Sequence, residues 1–184
     1  AEIVSLSPTR LGDVWNAVRA VGPALGRAEE GERAAADLER RIAELAARTA
    51  ALGSRPTVLT VEWIDPVMIG GTWMPELADA AGGTALVTKP GEHAPTLSRA
   101  ELEALDPDVV LIKPCGFELE RTSEEAEVLA RTLPLESWRA AKGGRGYGAG
   151  GHGGIARPGA RLVGAAGGRA GWRGIRRQEA GPFA

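Results

Sequence analysis

The sequence predicts an α/β protein with a small parallel sheet, because a strand, loop and helix pattern occurs twice along the chain. Residues 58–61 are a β-branched apolar run, followed by a turn-rich stretch and a helical pattern that starts at Pro75. Residues 109–112 are a second apolar run, and an acidic helical pattern follows over residues 119–133. Short runs that are apolar on both faces are typical of parallel strands covered by helices.

Residues 28–52 predict the longest helix of the chain. They are rich in Ala, Glu and Arg, contain no proline, and are followed by Gly53 and Pro56, which are helix-ending signals. A helix of this length spans on the order of 37 Å. We therefore expect a strut that connects two bodies. A shorter amphipathic helix is predicted before it, ending near Gly22 and Pro23.

Shorter elements are predicted around the second strand. Residues 75–81 have the pattern of a short helix, and residues 85–87 that of a brief strand. Ser98 and Glu101 stand at capping-box spacing, so we expect a helix that begins there and reaches Leu105.

The carboxyl-terminal region has a different composition from the rest. More than half of the 26 glycines lie beyond residue 142, and residues 164–184 are mainly glycine, alanine and arginine. We expect this tail to be irregular or disordered. The stretch KGGRGYGAGGHGG resembles an arginine-glycine RNA-binding tract, which leaves open an interaction role for a basic tail. The net charge of −2 argues against a nucleic-acid binder as a whole.

Size and cysteine content set further bounds. With 184 residues, 43% of them hydrophobic, the chain can form a core. Its single cysteine, Cys115, excludes an intrachain disulfide. No apolar run is long enough to cross a bilayer, and no signal-peptide pattern is present. Because the chain begins with Ala1 and not with Met, we expect it to be a processed or excised piece.

Two loops carry the candidate ligand-binding residues. Each loop follows a predicted strand, and the carboxyl ends of parallel strands meet at one edge of a sheet, where α/β proteins bind ligands. Aromatic rings on such a rim suit a flat ligand, although burial in the core is an equal alternative for the two tryptophans. The candidates are Trp63, Asp65 and Trp73 in the first loop, and Pro114, Cys115, Gly116 and Phe117 in the second.

The sequence gives only weak signals for nucleophilic catalysis, metal binding or phosphate binding. Cys115 follows a strand, where a nucleophile could lie, but His93 and His152 belong to no recognisable partner motif. Neither histidine has a second ligand at metal-binding spacing. Gly70-Gly71 lacks the glycine pattern of a phosphate-binding loop. No catalytic residue, metal site or resident cofactor is predicted.

Four segments, in this order, carry a family likeness. The segments are SLSPTRLGDVWNAVRAVGPALGR, VEWIDPVMIGGTWMPELADAAGG, LDPDVVLIKPCGFELER and RPGARLV. Their EW.DP, W.PEL and PCGF motifs are fairly specific together. With these segments the chain resembles the substrate-binding proteins of cobalamin and ferric-siderophore ABC importers over about residues 3–163, and the cobalamin-binding branch most closely.

The resemblance implies a domain organisation. Such proteins have two α/β lobes joined by one long helix, with the ligand between the lobes. Residues 1–55 would then be an amino-terminal segment with the interlobe helix, and residues 56–163 a Rossmann-like three-layer lobe with a small parallel sheet. Residues 164–184 would be a degenerate or disordered tail. The first lobe of the family has no counterpart here, so we expect a fragment.

The resemblance also implies a function. The chain would be the periplasmic or extracytoplasmic binding component of an importer, and it would pass a cobalamin-like corrinoid to a membrane permease without chemical change. The seven loop residues from Trp63 to Phe117 would contact the ligand. A ferric-siderophore or haem-type chelate is the alternative ligand. An α/β enzyme dependent on Cys115 is the alternative from another class.

Overall fold

The computed structural model describes residues 3–143 and 146–148. Eleven helices and strands are assigned within these residues. In chain order they are α1 (Leu11–Ala24), α2 (Ala28–Ala50), β1 (Thr57–Trp63), β2 (Met68–Ile69), α3 (Met74–Ala80), β3 (Thr84–Ala85), α4 (Arg99–Glu103), β4 (Val109–Ile112), α5 (Leu119–Thr132), α6 (Arg139–Lys142) and β5 (Gly146–Gly148).

The described residues divide into two compact units. The first unit comprises residues 3–55 and 71–93 and contains α1, α2, α3 and β3. The second comprises residues 56–70, 94–143 and 146–148 and contains the other strands and helices.

In the first unit, α1 and α2 form a helical hairpin whose backbones approach most closely at two glycines. Gly22 and Gly31 are both buried. A Cβ atom added to Gly31 would lie 2.9 Å from the Cα of Gly22 and 3.2 Å from the carbonyl oxygen of Val18. Helices this close leave no room for a side chain between their backbones. The absence of a Cβ at both positions therefore determines how closely the hairpin packs.

Polar contacts hold the hairpin and join it to α3. Arg19 donates from Nε to Glu32 at 3.0 Å and from Nη1 to Glu39 at 2.9 Å. Hydrogen bonds to Glu39 and then Glu32 raise the pKa of Arg19 above its ordinary value. On α2, Thr49 donates from Oγ1 to the carbonyl oxygen of Ala80 at 2.8 Å. Side-chain hydrogen bonds thus join α1 to α2 and α2 to α3.

The second unit is built on a sheet with the strand order β2-β1-β4-β5. β1 and β4 are parallel, with Val58 opposite Val109 and Val61 opposite Ile112. β5 is parallel to β4, and β2 is antiparallel to β1. A parallel pair needs a crossover connection, and residues 64–108 make it between β1 and β4.

The core of the second unit lies along β1 and β4 and is completed by a tryptophan. Leu59, Val61, Val110 and Ile112 are fully buried. Trp138, directly before α6, is also fully buried, and its Nε1 donates to the carbonyl oxygen of Leu102 at 3.2 Å. The indole thereby fills the core and satisfies its one polar group.

The α/β prediction and its parallel sheet are confirmed. The capping box of Ser98 and Glu101 is also present, although α4 ends at Glu103 and not at Leu105. β2 and β5 were not predicted. The expected irregular tail, residues 164–184, lies outside the described residues. Among the residues that are described, no helix has both the length and the apolar composition needed to cross a membrane.

A charged cluster closes the amino ends of β1 and β4. Arg139 donates to Asp106 from its backbone N–H and from Nε, both at 2.7 Å, and its Nη1 lies 3.3 Å from Asp108. Asp108 accepts the backbone N–H of Thr57 at 3.0 Å. The backbone bond from Arg139 is the main cause that lowers the pKa of Asp106 below its ordinary value. The cluster ties the start of α6 to the strand ends.

We expect Gly31→Ala to destabilise the first unit. Its new Cβ would overlap the backbone of α1, and overpacking of this kind costs about 1–3 kcal/mol, which exceeds the gain in helix propensity. Urea unfolding followed by circular dichroism measures the change. Gly12→Ala is the matched control, because nothing lies within 4 Å of its added Cβ; it should be neutral or stabilise by up to about 1 kcal/mol. Equal effects of the two substitutions would contradict the close helix crossing.

We expect Asp106→Asn to lower stability in a pH-dependent way. Because the pKa of Asp106 in the folded protein lies below its ordinary value, the ionised group stabilises the fold at pH values above that ordinary value. The contribution is lost as the pH falls through the folded value. The deficit of the variant should be full at about pH 6 and should shrink below about pH 4. Asp65→Asn, in the same unit, is the control. A deficit that does not change with pH would reject the role of the charge.

Candidate ligand-binding site

The carboxyl ends of β1 and β4 lie together at one edge of the sheet. Their pairing continues into the loop after β4: Lys113 donates its backbone N–H to Val61 at 2.8 Å, and Cys115 donates to Glu62 at 3.1 Å. The loop of residues 113–117 is thus bonded directly to the end of β1. The structure therefore brings Trp63 and the Cys115 loop to the same edge, as the parallel arrangement predicts.

The pairing of β1 with β2 is interrupted by a β-bulge just before Trp63. Val61 lies opposite Ile69, and Trp63 lies opposite Met68, so two steps on β1 match one step on β2. In a regular strand, Trp63 would share the buried face of Val61. A bulge re-aims the side chain that follows it. Trp63 is 40% exposed although Val61 is fully buried.

Two contacts hold the exposed indole, and a third contact covers one face of its neighbour Phe117. Its Nε1 donates to the carbonyl oxygen of Asp65 at 3.0 Å. Its ring meets Phe117 in an edge-to-face contact with centroids 5.8 Å apart and planes at 62°. The guanidinium of Arg121 lies over the Phe117 ring, 4.0 Å from its centroid. Phe117, itself half-buried, therefore supports Trp63, and the 40% exposed Trp63 ring is accessible to a ligand.

Two cations near the cluster have acidic partners. Lys113 Nζ lies 3.5 Å from Glu62, with side chains 33% and 17% exposed. Arg121 lies 4.0 Å from Glu125, one helical turn further along α5. Sequence reasoning missed both cations. The spacing of four residues between Phe117 and Arg121 at the start of a predicted helix was the available signal.

The remaining residues of the second loop differ in exposure. Pro114 is fully buried, and its carbonyl oxygen accepts the N–H of Phe117 at 3.3 Å. Gly116 has a φ of 75°, which a glycine adopts without steric cost. Cys115 is a free, exposed cysteine. Pro114 and Gly116 thus shape the turn that presents Cys115 and Phe117.

Trp73 belongs to the first unit, unlike the other candidates. It is half-buried and stands at the N-cap position of α3. A rim shared by Trp63 and Trp73 stays a prediction, as do the ligand contacts of all seven candidate residues.

Two further observations concern possible metal binding and a second groove. Among the described residues, no group of three or more His, Cys, Asp or Glu side chains is placed to hold a metal ion. The first unit also has an open groove of about 220 Å³, to which no candidate residue contributes. The groove is lined by Ser5, Leu6, Ser7, Pro8, Asp13, Asn16, Ala17 and Ala20.

The chain belongs to the periplasmic binding protein family, whose match covers residues 1–150. No curated protein sequence matches it.

Three solved structures have a similar fold. IsdE of Staphylococcus aureus, complexed with heme, has a TM-score of 0.67 at 14% identity over 80% of this chain and 58% of its own. A periplasmic heme-binding protein from Pseudomonas aeruginosa has a TM-score of 0.60 at 27% identity, over 80% of this chain and 53% of its own. The periplasmic vitamin B12 binding protein BtuF of Vibrio cholerae has a TM-score of 0.58 at 17% identity, over 79% of this chain and 55% of its own. The chain therefore spans little more than half the length of these proteins.

We expect Phe117→Ala to free the Trp63 ring. The substitution removes an edge-to-face contact of about 0.5–1.5 kcal/mol and the platform beneath Arg121. In protein labelled with 5-fluorotryptophan, the ¹⁹F resonance of Trp63, assigned with Trp63→Phe, should sharpen and shift toward that of the free amino acid. Val128→Ala, an exposed site on α5, is the control. An unchanged Trp63 resonance in Phe117→Ala would show that Phe117 does not support the indole.

Proposed function

We propose that this chain binds a flat metal chelate as part of the substrate-binding protein of an ABC importer, with a cobalamin-like corrinoid as the first candidate ligand. The observation that carries the proposal is the exposed Trp63 ring, held by Phe117 and Asp65 at the carboxyl edge of the sheet. A rigid aromatic ring at a strand edge suits the apolar face of a macrocycle. Membership of the periplasmic binding protein family supports the same function.

The charges near Trp63 support a corrinoid over haem. Lys113 and Arg121 each have an acidic partner within 4.0 Å. A ligand with carboxylate groups would have to compete with those acids, whereas the neutral amide rim of a corrinoid would not. Haem and ferric siderophores are the alternative ligands, and two of the structural relatives are described as heme-bound or heme-binding.

The remaining parts of the proposal follow from the type of protein. The partner would be a membrane permease, and the location would be periplasmic or otherwise extracytoplasmic. The ligand would be captured and released unchanged, so the proposal contains no catalytic step for Cys115. Trp73 would contribute a second aromatic contact to the ligand.

Titration of the 184-residue chain with cyanocobalamin, haemin and a ferric hydroxamate, followed by tryptophan fluorescence, tests the proposal. Cyanocobalamin should bind most tightly. Trp63→Ala and Trp73→Ala should each weaken its binding by about tenfold or more, as expected for aromatic anchors. Trp15→Phe, which removes an indole from α1, should leave the affinity unchanged.

Each other outcome has a definite meaning. Tighter binding of haemin or of the ferric hydroxamate, with the same tryptophan dependence, would replace the corrinoid by that chelate. Full affinity in Trp63→Ala would remove Trp63 from the site. Failure of all three ligands to bind would overturn the proposed function for this chain.

A further inference from the structure

The turn that carries Trp73 has a residue in an unfavourable conformation. Met74 donates its backbone N–H to Gly71 at 2.9 Å, which closes a four-residue turn. Within it, Thr72 has a φ of 52°, and Trp73 has φ −88° and ψ −5°. A positive φ at the first central position of a turn is the conformation that glycine adopts most readily. A β-branched residue in the left-handed region is a steric outlier.

A second turn holds Thr72 in that conformation. Thr72 donates its N–H to the carbonyl oxygen of Glu92 at 2.5 Å, and its own carbonyl oxygen accepts the N–H of Gly91 at 2.9 Å. Glu92 also closes the second turn, because its N–H donates to Lys89 at 3.1 Å and its Oε2 accepts the N–H of Lys89 at 2.8 Å. If Thr72 relaxed to a negative φ, the two bonds to Gly91 and Glu92 would have to break.

The second turn is in turn held by the start of α1. Arg10 donates from Nη2 to the carbonyl oxygen of Pro90 at 3.1 Å. A Cβ atom added to Gly91 would lie 3.2 Å from Nε of Arg10, so the Arg10 side chain packs directly on this turn. Leu11, the first residue of α1, donates its N–H to Glu76 of α3 at 2.8 Å. A continuous set of contacts therefore joins Arg10 to Trp73 within the first unit.

We propose that the turn from Gly71 to Met74 is a two-state latch that moves Trp73 and is held closed by the turn from Lys89 to Glu92. The left-handed conformation of Thr72 raises the free energy of the closed state, and the bonds to Gly91 and Glu92 offset it. The position of Trp73 then depends on contacts of residues far along the chain. As a consequence that rests on the proposed function, opening of the latch would release a bound chelate.

Thr72→Gly in the ligand-free full chain tests the latch. Glycine removes the steric cost of the closed state, so the unfolding midpoint should rise by about 2–4 °C. The ¹⁹F resonance of 5-fluorotryptophan at Trp73, assigned with Trp73→Phe, should lose its microsecond-to-millisecond exchange broadening. Val87→Gly is the matched control. Val87 has a φ of 79° and is the central residue of a strained turn closed by Thr88 N–H to Leu86 at 3.0 Å.

The control separates local strain from the latch. Val87→Gly should raise the midpoint as Thr72→Gly does but leave the Trp73 exchange unchanged. A fall in midpoint for Thr72→Gly, or unchanged exchange broadening at Trp73, would overturn the proposal. So would a loss of Trp73 exchange in Val87→Gly equal to that in Thr72→Gly.

A double-mutant cycle tests the connection to Arg10. Arg10→Ala removes a hydrogen bond to the second turn and should loosen it. In the wild-type background, the exchange broadening of the ¹⁹F resonance of Trp73 should then increase by about twofold or more. In the Thr72→Gly background Arg10→Ala should have less than about half that effect. Effects that are simply additive would reject the coupling. If Arg10→Ala does not fold, Glu92→Ala, which removes the acceptor of the Lys89 N–H, takes its place with the same expectations. The readout needs no ligand, so failed titrations would refute the proposed function without affecting the latch.

Discussion

The parallel pairing of β1 with β4 is the constraint on which the second unit depends. Val58 lies opposite Val109, and Val61 lies opposite Ile112. A slip of one residue would turn the buried side chains of one strand toward the opposite face. Since Leu59, Val61, Val110 and Ile112 are all fully buried, the hydrophobic core fixes the register. The same register places the loop after β4 against the end of β1, where the candidate site lies.

Two tryptophans of the second unit show how local backbone geometry changes the role of one residue type. Trp138 is fully buried and donates to Leu102, so it belongs to the core. Trp63 is the last residue of β1, just after a break in the regular pairing with β2, and its ring is 40% exposed although Val61 is fully buried. The energetic cost of an exposed indole is reduced by its contacts with Phe117 and Asp65. A ring that is both exposed and held in place is what recognition of a flat ligand requires.

The sequence predicted features that depend on local patterns. Apolar runs identified β1 and β4, and the spacing of Ser98 and Glu101 identified the start of α4, because each pattern lies within a few residues of chain. β5 escaped prediction because it spans Gly146–Gly148, and glycine has little tendency to form strands. Its strand conformation comes from pairing with β4.

The side-chain contacts of the site were less accessible to sequence reasoning. Trp63 is exposed next to a bulge in β1, and no composition signal marked that bulge. The contact between Arg121 and Phe117 and the pair of Lys113 with Glu62 depend on side-chain directions at the ends of different elements. The left-handed conformation of Thr72 was also hidden, because threonine is normally read as a residue of extended backbone.

The charged cluster of Arg139 with Asp106 and Asp108 lies at the amino ends of β1 and β4, whereas Trp63 and Phe117 lie at the carboxyl ends. The groups that fasten the strands and the residues proposed to contact a ligand are thus carried by opposite margins of one sheet. Substitutions among the proposed ligand contacts would therefore leave the fastening of the strands in place. A lineage could exchange one cargo for another while inheriting the same framework.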